Sequence, residues 1–342
     1  MRHLQALFAL AATAALTACG GGGGGGDSPT PSPVPTPGPP VAANGTLQTT
    51  SPAPTYGDQR RRDAFNQLNT VRLGAGAGVL QQSTVLDTSS ADHAAYLTAN
   101  GFDTADSAHD ETAGVPGFTG TTPFTRMVAD GYPYSYATEV IGDIGSTSST
   151  SDCVGDLLDT IYHAASMLSR VVDVGLAFGS GAAAGMCTID MASPQSGGST
   201  RQIPPSGAVV AYPYAGSTVA HGTFHVSAET PRASTTLLPA DDAGTPVVVG
   251  FRNQDFVAGG TVTITRFTLQ HTGGADVAGV ILAEPAITGS AVHADSQLGT
   301  GFAAFVPTGP LAAGTYTVAL QATISGGRAL ALTNWSFTVA AP

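Results

Sequence analysis

Four glutamates occur in this chain of 342 residues, Glu111, Glu139, Glu229 and Glu284, and the first two lie in the same half as His93, His109 and His163. Imidazoles and carboxylates brought to one point suit Zn²⁺, or another divalent ion whose shell waters complete. Without metal the same groups can act as a general acid–base pair. No histidine pair has the helical spacing of a zinc protease, and the Cys-x-x-Cys, Gly-x-Ser-x-Gly and Gly-x-Gly-x-x-Gly patterns give no usable site. Any site must therefore be assembled from distant segments. Asp159 and His163 stand four residues apart, so on one helix the carboxylate would orient the ring. His93 falls on a helix face, where a core hydrogen bond is the ordinary role. Arg126 reads as a loop pin rather than an anion site. Tyr132, Tyr134 and Tyr136 alternate as on one face of an extended chain, either as packing or as a cleft wall. His221, His225, His271 and His293 are scattered, with no metal spacing among them.

Composition narrows the chemistry further. All 12 cations are arginine, against 24 acidic residues, and the formal charge is −12. A chain without lysine has neither a P-loop nor a Schiff-base amine. The acidic balance also argues against a nucleic-acid partner, which a basic stripe would attract. With 44 glycines and 23 prolines, the chain suits loop-rich or β-rich structure rather than a helical bundle.

The elements that must position these residues follow from caps and periods. Asp58 caps a helix through Phe65, Leu68 and Val71 that ends at Gly74 or Gly76. A second helix runs from Ser83 or Thr84 to Asn100, stopped by Gly101. Thr122-Pro123 opens a third through Arg126 to Asp130, and Ser151 or Asp152 opens a fourth that buries Val154, Leu157, Leu158 and Ile161. Val171–Phe178 and Met186–Met191 read as a hairpin. Helices first and strands last predict an α+β fold for residues 57–192. After a polar linker at 193–206 the period becomes two: Val247–Phe251, Val262–Leu269, the Tyr316–Ile324 strand with a Gly326-Gly327 turn, and the Trp335, Phe337, Val339 strand. Residues 207–342 are thus expected to form an all-β sandwich.

Arg2 and His3 precede an apolar run from Leu4 to Leu16, too short to span a bilayer and of signal-peptide size. Leu16-Thr17-Ala18-Cys19 resembles the bacterial lipobox, so residues 1–18 are expected to be a lipoprotein signal peptide and Cys19 the acylated residue. Gly20 after the cysteine favours the outer membrane. Residues 19–56 then read as a disordered Gly/Pro-rich tether. Cys153 and Cys187 remain, in an oxidising compartment; a disulfide is the economical expectation, and two buried free thiols the alternative.

Across residues 58–192 the order of pieces resembles the bacterial secreted branch of the CAP superfamily, the cysteine-rich secretory, antigen 5 and pathogenesis-related 1 proteins. The pieces are His93-Ala94-Ala95-Tyr96-Leu97, Asn100-Gly101, His109-Asp110-Glu111, Gly117-Phe118-Thr119-Gly120, Arg126, Gly131-Tyr132, Glu139-Val140, Tyr162-His163 and the terminal hairpin. The resemblance implies an α-β-α sandwich and a cleft with two His and two Glu. His109, Glu139 and His163 match three of these; at the fourth position, on the helix before His163, this chain has Thr160 or Asp159, and Glu111 is a substitute. A site for Zn or Ca is implied, with no other cofactor. The second region resembles bacterial Ig-like modules through Tyr212-Pro213, Phe305-Val306-Pro307, Gly314-Thr315-Tyr316-Thr317-Val318 and Trp335-Ser336-Phe337-Thr338. The expected function is a cell-envelope lipoprotein whose cleft takes a divalent metal, a small ligand or an extracellular partner. The alternatives are a metal-assisted hydrolase, with Glu111 or Glu139 as base, and an adhesion protein with a vestigial cleft.

Overall fold

In the computed structural model, the structure describes residues 46–101, 108–143, 153–196, 201–251, 261–324, 330 and 333–341. The signal peptide, Cys19, most of the tether and the Gly326-Gly327 turn lie outside the described residues. Helix α1 (Gln59–Ala75) begins where the Asp58 carboxylate accepts from the Arg60 amide and ends at Gly76, whose φ of 80° suits a residue without Cβ. Helix α2 (Thr84–Asn100) is capped by Ser83, and α3 (Pro123–Ala129) carries a capping box between Thr122 and Thr125. These bounds agree with the sequence reading.

The fourth helix departs from it. Its apolar period continues without a break, but the helix splits into α4 (Cys153–Leu158) and α5 (Tyr162–Met167). At the junction the Thr160 amide closes on the Leu157 carbonyl three residues back, in place of the four-residue bond of a continuous helix, and the Thr160 hydroxyl lies on the same oxygen. Asp159 and His163 therefore do not share a helix face, and the expected orienting contact between them is replaced by others.

Four strands form the first sheet: β1 (Gln81–Gln82), β2 (Tyr134–Asp143), β3 (Asp173–Phe178) and β4 (Met186–Pro194), in the order β1-β3-β4-β2. β3 and β4 are the expected antiparallel hairpin, and β2 pairs antiparallel with β4. Alternation divides the sheet. Val140, Val174, Leu176, Ile189 and Met191 join the apolar residues of α1, α4 and α5. Ile141, Ala177 and Met186 pack with Ala94, Tyr96 and Leu97 of α2. Helix α2 lies against β3 so closely that a side chain at Gly175 would collide with the backbone of Leu86 and Asp87. The architecture of this region is α+β, as expected. Cys153 and Cys187 are joined in a disulfide that ties α4 to β4.

Two five-stranded sheets make the second region. One orders Ile287–Thr288, Val262–His271, Gly314–Ile324, Asn334–Val339 and Thr218–Val219; the other orders Val292–Ala294, Gly279–Ala283, Phe302–Pro307, Val247–Phe251 and Val209–Tyr212. Phe267 and Phe305 meet between the sheets with ring centres 5.8 Å apart.

The segments read as tether and linker are pinned where they are described. Ile203 donates its amide to Thr46, and Val79 donates to Gln48. Gln202, buried, donates from its side chain to the Val79 carbonyl and accepts from the Gln48 amide. Tyr56 is buried with its phenol on Asp87. One apolar cluster runs through both regions, and the described residues fall within the single compact unit Val41–Pro342.

Candidate functional site

His109 follows a segment outside the described residues, and a buried arginine fixes what surrounds it. Arg126, on the inward face of α3, donates Nη1 to the His109 carbonyl at 3.0 Å and Nη2 to both oxygens of Glu139, at 3.1 and 2.9 Å. Glu139 on β2 in turn takes His109 Nδ1 at 2.8 Å. Burial alone would raise the Glu139 carboxyl, but the His109 hydrogen bond and the charges of His93, Arg126 and His109 outweigh it and bring the pKa down to about 2. An ionised carboxylate accepts, so His109 carries a proton on Nδ1. Its side chain is 25% exposed against 1% for Glu139, so the ring meets solvent while its orienting group does not. Arg126 is the loop pin that the sequence suggested.

Glu111 is committed elsewhere. Its oxygens accept from the Thr119 amide at 2.6 Å and the Gly120 amide at 3.2 Å, and His93 Nδ1 lies 2.9 Å away. The other ring nitrogen of His93 meets the Ala108 carbonyl at 2.9 Å. Both His93 and Glu111 are fully enclosed, and His93 has the core role expected of it. Across the strand pair from Glu139 stands Asp190, fully buried; burial and then the charge of Glu139 push its carboxyl well above the usual range.

His163 stands in the first turn of α5. The Thr160 hydroxyl proton has oxygen acceptors in the Leu157 carbonyl and Glu229, so the hydroxyl oxygen accepts from His163 Nδ1 at 2.9 Å and Nε2 of that ring is the unprotonated nitrogen. Burial, then the positive charge of His109, lowers the His163 pKa to about 4. The two rings are thus close enough to feel each other's charge. They do not converge with Glu139 on one point: among the described residues, the group of three whose donor atoms lie within 4.8 Å of one another is His225, Asp241 and Asp242. That exposed group joins His225 to Asp242 at 2.9 Å across a strand pair, while Asp241 accepts from the amide and hydroxyl of Ser227. Strand register alone brings it together, which is why sequence spacing did not show it.

Asp159, freed from α5, pairs with His221 Nδ1 at 2.9 Å, beside a cavity of about 650 Å³ that Thr160, Phe224 and Leu311 also line. The tyrosines do not form one wall. Tyr132 is buried and donates to Asp173, Tyr134 packs on Phe124, and Tyr136, past a bulge in β2, lies under Arg201. Glu229, from the second region, is the residue that sequence reasoning missed. It is 1% exposed and accepts from the Tyr162 amide at 2.5 Å, beside His163. Burial raises its pKa to about 7, opposed by hydrogen bonds from Tyr162, Thr160, His163 and Ile161.

These two shifts predict a compensated acid response. His163 falls from 6.5 to about 4 on folding, so the unfolded chain takes the proton first and stability is lost as pH drops through that range. Glu229 rises from 4.5 to about 7, so the folded chain holds a proton that the unfolded chain releases, and stability is lost as pH rises through that range. Each amounts to about 3 kcal/mol at full extent, with opposite sign. Urea unfolding at pH 4.5 and 6.5 should show the slopes separately: His163→Gln loses stability toward pH 6.5, and Glu229→Gln loses it toward pH 4.5. Slopes unchanged from the parent chain in both variants would refute the assignment.

No protein-family model matches the chain, and no curated protein matches it. Among solved structures it is similar to PcoC, a methionine-rich copper resistance protein from Escherichia coli, at 19% identity over 38% of this chain and 92% of that one, with a TM-score of 0.22. The selenomethionine form of that protein matches at 19% identity, over 38% and 94% of the two chains, with a TM-score of 0.21. Scores this low carry no argument about fold or function. None of the helices among the described residues is long and apolar enough to cross a membrane.

Proposed function

We propose that the chain is a cell-envelope lipoprotein, anchored through Cys19, whose CAP-like region binds a divalent transition metal through His109 and His163 and does so without catalysis. The observation that carries this reading is the shared state of the two rings. Each is held at Nδ1, by Glu139 in one case and Thr160 in the other, which orients both rings and makes Nε2 the atom that would coordinate. A pair of imidazoles suits Zn²⁺ or Cu²⁺, whereas Ca²⁺ wants oxygen ligands that this pair does not supply. Glu139 belongs behind His109 as its orienting group rather than in the donor set. A bound metal would supply Lewis acidity to an extracellular ligand. Glu111 and Glu139 are buried with their oxygens engaged, which leaves neither as a base for water and favours binding over hydrolysis. The second region, with its Ig-like pairing of two sheets, would act as a spacer or adhesion module and is the main route to an extracellular partner.

Calorimetric titration of the full chain with Zn²⁺ tests the reading. Binding of one equivalent is expected, with His109→Ala and His163→Ala each weakening it at least tenfold and Glu139→Gln weakening it by about 10–100-fold. His225→Ala, at the exposed group, should leave that affinity unchanged. Absence of binding, or binding indifferent to both cleft histidines, would overturn it.

A further inference from the structure

We infer that Glu229, a residue of the second region, is the positioning residue for His163, so that the histidine site is built jointly by both regions and the first does not form it alone. This rests on reading His109 and His163 as the donor pair. Glu229 lies 66 residues beyond His163 in the chain, and its carboxylate is buried under the α4–α5 corner. Its Oε1 accepts from the Tyr162 amide at 2.5 Å and from the His163 amide at 3.4 Å. The same oxygen lies 3.6 Å from His163 Nδ1. Ile161, at the N-cap of α5, offers no side-chain cap, so the first-turn amides are satisfied from outside the helix.

The second region grips this corner at two further points. Tyr162 donates its phenol to Asp295 at 2.7 Å, and His221 meets Asp159 at 2.9 Å. Glu229 is the one of these that reaches the ring itself. With the Thr160 hydroxyl it gives His163 Nδ1 two oxygen neighbours, which favour the proton on that nitrogen and leave Nε2 unprotonated. A glutamate from the sheet region thus stands where the sequence offered only Thr160, Asp159 or Glu111.

A cap with no further role would affect stability alone, so the test reads the ring. In the metal-free full chain, long-range ¹H–¹⁵N spectra of the histidine side chains should show His163 as the Nδ1–H tautomer. Glu229→Gln, which keeps the acceptor oxygen, should preserve that signature. Glu229→Ala should shift it toward Nε2–H and weaken Zn²⁺ binding at least tenfold. Asp295→Asn, which loosens Tyr162 without touching the ring, should leave the tautomer unchanged. Should Glu229→Ala not fold, Glu229→Asp, whose arm is one methylene shorter, makes the same test. A His163 tautomer unmoved in Glu229→Ala or, where that does not fold, in Glu229→Asp would overturn the inference. Failure of the parent chain to bind Zn²⁺ would refute the metal reading alone, because the tautomer measurement needs no metal.

Discussion

Replacing Arg126 with methionine is expected to lower the unfolding free energy by about 3–5 kcal/mol, the range for removing one partner of a buried ion pair. The guanidinium is wholly enclosed and donates to three acceptors: both oxygens of Glu139 and, through Nη1, the His109 carbonyl. Its Nε lies 3.7 Å from Glu111. Methionine fills much of the same volume, so the loss reports charge and hydrogen bonds more than a cavity. Glu139 would then lose one of the charges that hold its carboxyl at about 2, in a place where burial already pushes upward and Asp190 faces it. Its pKa should rise, and the acid limb of unfolding should move to higher pH. The sign follows from linkage: a carboxyl depressed on folding stabilises above its unfolded pKa of about 4.5, and that stability is lost as pH falls toward 2. Urea unfolding from pH 3 to 7 measures both effects. A loss under about 1 kcal/mol, typical of a surface ion pair, would show that the network is not the structural anchor described.

Opening the Cys153–Cys187 bridge is the second large effect. The bond closes a loop of 34 residues, for which the chain-entropy relation gives about 4 kcal/mol. That loop includes α4, α5 and the return strand β3, the elements that carry His163 to the edge strand β2. Both cysteines are buried, at 1% exposure, so replacement by alanine leaves little unpaired polarity and the measured loss reflects the missing cross-link. A double Cys→Ala chain should therefore unfold at lower urea with an altered slope, since its unfolded state is less constrained. Zn²⁺ affinity in the folded state should change much less. Equal urea midpoints, together with two free thiols by non-reducing mass spectrometry of the parent chain, would refute this.

What could be read from the order of residues is what neighbours along the chain decide. Asp58, Ser83 and Thr122-Pro123 start helices because their side chains or ring meet backbone groups two or three positions away, and Gly76 and Gly101 end them for equally local reasons. Strands such as Val247–Phe251 and Asn334–Val339 announced themselves by period two or an unbroken apolar run. The absence of lysine and the small number of glutamates bounded the chemistry before any fold was known.

Partner choice at the site was decided only by packing. Nothing local separates Glu111 from Glu139, yet one is consumed by the Thr119–Gly120 turn and His93 while the other orients His109. The helix carrying His163 kept its apolar period across Thr160, so its break, where the Thr160 amide closes on Leu157 three residues back, could not be read from periodicity. Once broken, Asp159 turned to His221 and His163 to the neighbourhood of Glu229, both in the second region. A buried carboxylate needs donors wherever the tertiary fold supplies them, and that need is met across 66 residues as readily as across four.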